Sequence, residues 1–262
     1  MNGKTLYFAA AVGTAWLWAM NSPALTLEYQ FYPTQTVPSS QTWTANFGTD
    51  DSETIIPNHY LQITDNDSGD PGYFYTRSVP VGDINSETDW QVRTQVRLTS
   101  YGSSPADRGL YSMFVGDGSN LVIWGMRLDG SGNTRVFHAT SIGGENTLAA
   151  SVTGNPFLEI VSTKTTGANP GSFSDDTVLL QVFDFGGNLL GSATQNLGNI
   201  GIASSTRQVL FGLSASPSFG TAQVIGATFG IGENAPLIIP EPAAAALGLF
   251  GGLLLWRRMR QR

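Results

Sequence analysis

Alternation between apolar and polar positions dominates this chain. The clearest run is Trp90-Gln91-Val92-Arg93-Thr94-Gln95-Val96-Arg97-Leu98, in which Trp90, Val92, Thr94, Val96 and Leu98 share one face and Gln91, Arg93, Gln95 and Arg97 the other. A period of two predicts a strand with one buried and one wet face. Similar runs predict strands at Tyr60–Thr64, Tyr73–Val79, Leu110–Val115, Leu121–Leu128, Thr134–Ala139 and Phe157–Lys164. Later ones fall at Val178–Phe183, Asn188–Ala193, Gln208–Ser214 and Ala222–Ile231. Turn residues separate them: Gly116-Asp117-Gly118, Asp129-Gly130, Gly143-Gly144 and Gly186-Gly187. Residues 166–176 read as a long loop, and no helical apolar stripe stands between 25 and 236. Many short strands without an internal repeat predict an all-β fold, a two-sheet jelly-roll sandwich over residues 43–234. Residues 25–42, rich in Pro, Thr and Ser, form a linker or a first strand, and 235–239 a spacer.

The two ends carry a different pattern. Lys4 precedes an apolar run from Leu6 to Met20, and Ser22-Pro23-Ala24 places small residues where a signal peptidase cuts. Residues 1–24 therefore read as a signal peptide, a helix removed after Ala24, with the Sec export machinery as partner; an uncleaved membrane anchor is the alternative. At the other end, Pro240-Glu241-Pro242 is followed by the uncharged run Ala243–Trp256 and then by Arg257, Arg258, Arg260 and Arg262. Fourteen helical residues span about 21 Å, less than the ~30 Å hydrocarbon core, and the arginines favour the cytoplasmic side.

This tail, residues 240–262, resembles the PEP-CTERM sorting signal of exported bacterial proteins. The resemblance implies a transmembrane helix that an exosortase-type processing peptidase removes. It further implies an inner-membrane precursor with a periplasmic ectodomain, later delivered to the cell envelope, surface or extracellular matrix. An ordinary tail anchor is the alternative. The strand order from Tyr60-Leu61-Gln62-Ile63 through Tyr73–Arg77, Trp90–Leu98, Phe157–Ile160 and Val178–Asp184 with Gly186-Gly187 is similar to that of concanavalin A-like (laminin G-like) domains. That likeness covers roughly residues 43–231 and leaves function open.

Charge narrows the partners. The 262 residues hold 13 Lys and Arg against 20 Asp and Glu, a net charge of −7. Residues 1–24 hold one Lys and 243–262 four Arg, so the segment between has 8 positive and 20 negative groups, a net of −12. Nucleic acid is thereby excluded as an expected partner. With no Cys and two His, thiol chemistry and a three-His metal site are excluded as well.

Candidate chemistry is sparse. Asp65, Asp67 and Asp70 fall in one Asn-, Ser- and Gly-containing loop, where alternating carboxylates suit Ca²⁺, against the stronger expectation of a solvated turn. No cofactor is certain. Tyr73, Tyr75, Tyr101 and Tyr111 are candidates for stacking on a glycan, against the competing expectation that strand aromatics fill the core. Trp124 is expected in the core. Glu159 and Asp184 are isolated acids, His59 and His138 lack a triad context, and Gly212-Leu213-Ser214-Ala215-Ser216 lacks the final glycine of a nucleophile elbow. These patterns lead to a non-enzymatic exported protein with a structural or adhesive role, and binding of glycan or exopolysaccharide is what the concanavalin A-like resemblance implies. The alternative is a polysaccharide hydrolase or lyase on the same fold.

Overall fold

The computed structural model describes residues 26–31, 38, 43–46, 48, 50–56, 59–66, 72–79, 89–101, 111–116, 121–139, 147–169, 172–197, 207–213 and 220–231. Fifteen strands follow one another: β1 (Thr26–Phe31), β2 (Thr44–Asn46), β3 (Ser52–Ile56), β4 (Tyr60–Asp65) and β5 (Phe74–Val79). Next come β6 (Trp90–Tyr101), β7 (Tyr111–Gly116), β8 (Leu121–Leu128), β9 (Thr134–Ala139) and β10 (Thr147–Val152). The last are β11 (Leu158–Thr165), β12 (Thr177–Phe183), β13 (Leu189–Asn196), β14 (Arg207–Leu213) and β15 (Gly220–Ile231). All eleven predicted strands are present, and 166–176 does connect β11 to β12. The additions are β1, which lies within the segment left as linker or first strand, and the short strands β2, β3 and β10.

The strands form two antiparallel sheets. One runs β13-β12-β11-β6-β15-β4-β3, with β1 also on β15, and the other β10-β9-β8-β7-β14-β5-β2. Stacked, they make the two-sheet jelly-roll sandwich. Strand alternation fills the space between them with Leu61, Ile63, Val92, Val96, Leu98, Leu158, Ile160, Val178, Leu180 and Val182 from the first sheet. The second sheet answers with Tyr75, Tyr111, Met113, Trp124, Met126, Val136 and Phe211. Trp124, expected in the core, is 2% exposed, with its ring 5.9 Å from that of Tyr111. Phe211 touches Tyr75 at 5.2 Å and meets Trp43 edge-on at 4.9 Å. These ring geometries add to area burial.

One charged pair lies in this interior. Lys164 and Asp176 are fully buried and 3.0 Å apart. Lys164 Nζ also donates to Thr166 Oγ1 at 2.8 Å, and the Gly167 N–H donates to Asp176 Oδ1 at 2.7 Å. Asp176 thus fastens the 166–176 loop to the end of β11.

Two hairpins use the same turn. In Asp129-Gly130-Ser131-Gly132-Asn133 and Asp184-Phe185-Gly186-Gly187-Asn188, the first carboxylate accepts from the third and fifth backbone N–H groups at 2.8–2.9 Å and from the Asn side chain. The fourth residue is glycine at φ +76° and +81°. These bonds favour the ionised form: the Asn133 backbone holds Asp129, and the Asn188 side chain holds Asp184, below the usual carboxylate range. A Cβ at Gly187 meets nothing within 4 Å, so only backbone strain opposes substitution. Gly187→Ala is expected to cost about 1 kcal/mol in urea unfolding.

The signal helix and Ala24, and the tail with Pro240, Glu241, Pro242, Arg257, Arg258 and Arg260, lie outside the described residues. Among the described residues no helix is long and apolar enough to cross a membrane.

Candidate functional site

The outer face of the eight-stranded sheet is where the polar half of the alternation goes. Pairing places Gln91, Arg93, Gln95 and Arg97 of β6 between β11 on one side and β15 on the other. This face is wet only in part. Gln91 is 6% exposed, Gln95 7% and Gln223 6%, so three glutamines form a floor rather than a solvated surface. The expectation of one dry and one wet face is corrected here. The core-facing side holds as read, but neighbouring strands wall in the polar side.

Hydrogen bonds organise that floor. Gln91 Nε2 donates to Thr163 Oγ1 at 2.9 Å. Arg97 Nε donates to Gln223 Oε1 at 2.6 Å, and Gln223 Nε2 donates to Gln62 Oε1 at 2.9 Å, a line crossing β6, β15 and β4. Arg93 and Glu159 form an ion pair at 3.4 Å, with side chains 21% and 12% exposed. Burial lowers the Arg93 pKa, and the Glu159 charge opposes that shift. Beside them a depression of about 390 Å³ is lined by Gln91, Arg93, Thr163, Thr165 and Gln181, with Val161, Leu179 and Phe183 as apolar patches.

An aromatic shelf borders the floor. The Tyr60 and Phe157 ring centroids are 6.3 Å apart, and those of Phe157 and Phe185 are 6.2 Å apart. Phe185 is 63% exposed at the tip of the β12–β13 turn, and the Arg97 guanidinium sits over Phe157 at 4.5 Å. The shelf holds one side chain from each of three separate segments, so no local motif marks it. The available signal is Phe185 itself: an aromatic residue inside a Gly-rich turn has little chance of burial.

The residues named from sequence lie elsewhere. Tyr73, Tyr75 and Tyr111 are 2%, 0% and 0% exposed and belong to the core, so their faces are closed to a sugar. Burial, the largest influence in each case, raises all three phenol pKa values. Tyr75 donates its hydroxyl proton to Glu53, a bond from β5 of one sheet to β3 of the other, and lies 3.4 Å from the Tyr73 hydroxyl. Tyr101 ends β6, and its side chain lies outside the described residues.

Asp65 is 2% exposed on the inward side of β4, opposite Gly220 of β15. Asp67 and Asp70 lie outside the described residues. Nearby, Asp51 accepts from the Gly48 and Asn66 N–H groups at 2.8 and 3.4 Å. Among the described residues no three His, Cys, Asp or Glu side chains are arranged to hold a metal ion.

The acid–base candidates separate too. Asp184 caps its turn. His138 is 1% exposed, with Nε2 3.2 Å from the Ala193 carbonyl, and His59 sits in an exposed turn. Gly212 and Leu213 lie within β14, while 214–216 are outside the described residues. Of the acids read from sequence, Glu159 alone lies on this face, paired with Arg93 beside the depression.

No family model matches the chain, and a search of curated proteins finds no relative. Solved structures do match. A carbohydrate esterase from Shiga toxin-encoding bacteriophage phi24B aligns over 80% of this chain and 100% of its own, at 10% identity and a TM-score of 0.56. The Lotus tetragonolobus seed lectin aligns over 79% of this chain and 99% of its own, at 9% identity and a TM-score of 0.52. Lectin I from Ulex europaeus, solved with the methyl glycoside of alpha-L-fucose, aligns over 78% and 97%, at 10% identity and a TM-score of 0.51. The shared property is the lectin-like, concanavalin A-like sandwich.

Proposed function

We propose that this chain is a non-enzymatic, exported envelope or matrix protein that binds polysaccharide on the outer face of its eight-stranded sheet. One observation carries the reading: that face joins an aromatic shelf to a floor of amide, hydroxyl and guanidinium groups. Pyranose rings present apolar C–H faces and a rim of hydroxyls. The shelf matches the faces, and the glutamines and threonines match the rim. The length of this face supports a polymer rather than a single sugar: Phe157 to Thr165, β11 and the residue before it, is eight steps of extended chain, about 27 Å. The lectins that share the sandwich are consistent with this use of it. Export rests on the signal-like N-terminus and the PEP-CTERM-like tail, with Sec and an exosortase-type peptidase as processing partners.

Affinity electrophoresis of the full chain through gels containing neutral and acidic polysaccharides tests the binding. At least one polymer is expected to retard the protein. Phe157→Ala is expected to weaken that retardation about tenfold, since truncating a central aromatic anchor commonly costs more than 1 kcal/mol. A chain that no polysaccharide retards has no such site. Intact mass of the protein from its native host tests export separately: a start near Leu25 and an end near Pro240 is expected, and a retained Arg257–Arg262 points to a plain membrane anchor.

A second reading, a hydrolase or lyase, draws on Glu159 on the same face and on Tyr60 and Arg97 flanking Phe157. Two-carboxylate hydrolysis needs a second acid about 5–9.5 Å away. Among the described side chains of this face Glu159 has no such partner. Release of reducing or unsaturated sugar ends on prolonged incubation is the outcome that favours this second reading.

A further inference from the structure

Resting on the polysaccharide reading, we infer that the polymer this groove selects is acidic, one carrying carboxylates along its length. The charge balance of the face is the starting point. Between residues 25 and 242 the chain has a net charge of −12, yet around the depression and the shelf this face contributes two arginines and one acid, Arg93, Arg97 and Glu159. Arg93 is matched by Glu159. Arg97 is not matched by an acid: Nε is taken by Gln223 and the guanidinium plane lies on Phe157. No described residue accepts from its Nη groups.

That arrangement fits a carboxylate. Stacking on Phe157 and the Gln223 bond fix the guanidinium plane, so little side-chain freedom remains to be lost when an anion binds. A fixed guanidinium presents its remaining N–H groups as a fork, the geometry that carboxylates accept best. The same Phe157 ring offers its other surroundings to the sugar that bears the carboxylate. Arg93 and Arg97 lie four residues apart on one strand, about 13 Å, so charges recurring along a polymer can meet both. Glu159 stands between their rows, paired with Phe183 of β12 and beside Gln95 of β6. Gln95, more than nine-tenths buried, completes the floor between the two arginines. Glu159 is then the selectivity element, since it neutralises Arg93 and repels an incoming anion. A low net positive charge of this kind favours a polyuronate, with one carboxylate per sugar, over a more densely charged sulfated polymer.

The experiment uses the full chain and measures its Kd by affinity electrophoresis in polygalacturonate, alginate, dextran sulfate and neutral dextran, at low and high salt. The expected result is uronate binding that weakens with salt, because surface charges are screened over about 10 Å at 0.1 M. Arg97→Gln is expected to weaken uronate binding at least tenfold while leaving the melting temperature unchanged. Glu159→Gln is expected to tighten it about threefold, the size of one partly exposed charge pair. Equal binding of neutral dextran, indifferent to salt and to Arg97→Gln, overturns the charge inference and leaves the glycan reading standing. Binding confined to dextran sulfate also overturns it, by replacing carboxylate with sulfate. Binding to none of the polymers removes both.

Discussion

Replacing Lys164 with Met is expected to destabilise the protein by about 3–5 kcal/mol, the usual loss when one member of a buried ion pair is removed. Both side chains are fully buried at 3.0 Å. Without Lys164, the Asp176 carboxylate keeps its bond from the Gly167 N–H but loses its counter-charge, in surroundings that include the Phe173 ring 5.8 Å from where the ammonium stood. For a domain of this size the loss corresponds to a fall in Tm of about 6–20 °C. Urea unfolding followed by Trp fluorescence reads it, Trp90 being paired with Lys164 across the β6–β11 ladder. The double variant Lys164→Met with Asp176→Leu is expected to recover most of the loss, because the pair and an apolar substitute of similar volume differ little. A single variant that unfolds within 1 kcal/mol of the original chain contradicts the buried placement of this pair.

Gly212→Ala is the second substitution with a large expected effect. Gly212, the penultimate residue of β14, adopts φ +149°, and a Cβ there falls 2.5 Å from both the Tyr73 carbonyl oxygen and the Phe74 Cα. Those are backbone atoms, which cannot step aside as a side chain can. The next residue, Leu213, donates its N–H to that same Tyr73 carbonyl at 2.8 Å. Overpacking and backbone strain together cost about 2–5 kcal/mol, and the displacement reaches Tyr75 and Phe211, whose rings meet at 5.2 Å. A thermal melt compares it with Gly187→Ala, which has the strain without the clash. Equal losses in the two variants mean that contact with β5 contributes nothing.

The architecture was readable because the apolar period of two survives in the strands that face the core. Trp90, Val92, Thr94, Val96 and Leu98 are all buried, as their alternation implies. The strands missed are short or lie at edges. Thr44–Asn46 has three residues, and Ser52–Ile56 and Thr147–Val152 border their sheets, where burial on one side imposes little pattern. The site was not readable for a related reason. Alternation says which side of a strand a residue takes, not how deeply the neighbouring strands enclose that side. Gln91 and Gln95 therefore read as wet although they line a floor. Tyr73, Tyr75 and Tyr111 read as candidate platforms because composition cannot tell an inward ring from an outward one. Tyr60 and Phe157 meet across 97 residues of chain, and Phe157 and Phe185 across 28, separations that no local window contains.

The position of β15 has a consequence for synthesis. It is the last of the described strands, yet it lies at the centre of its sheet, with β6 on one side and β4 and β1 on the other. Trp90 pairs with Ile231 and Leu98 with Ala222, so these closures span well over a hundred residues. A nascent chain halted before residue 220 has the two halves of that sheet but nothing to join them, and its unpaired β6 and β4 edges stand open. Such high contact order makes folding slow and places closure of this sheet after β15 has been made. Ribosome-bound chains stopped before and after β15 should differ abruptly in protease resistance. The interval before closure is when the chain is still extended enough to be threaded through a narrow channel.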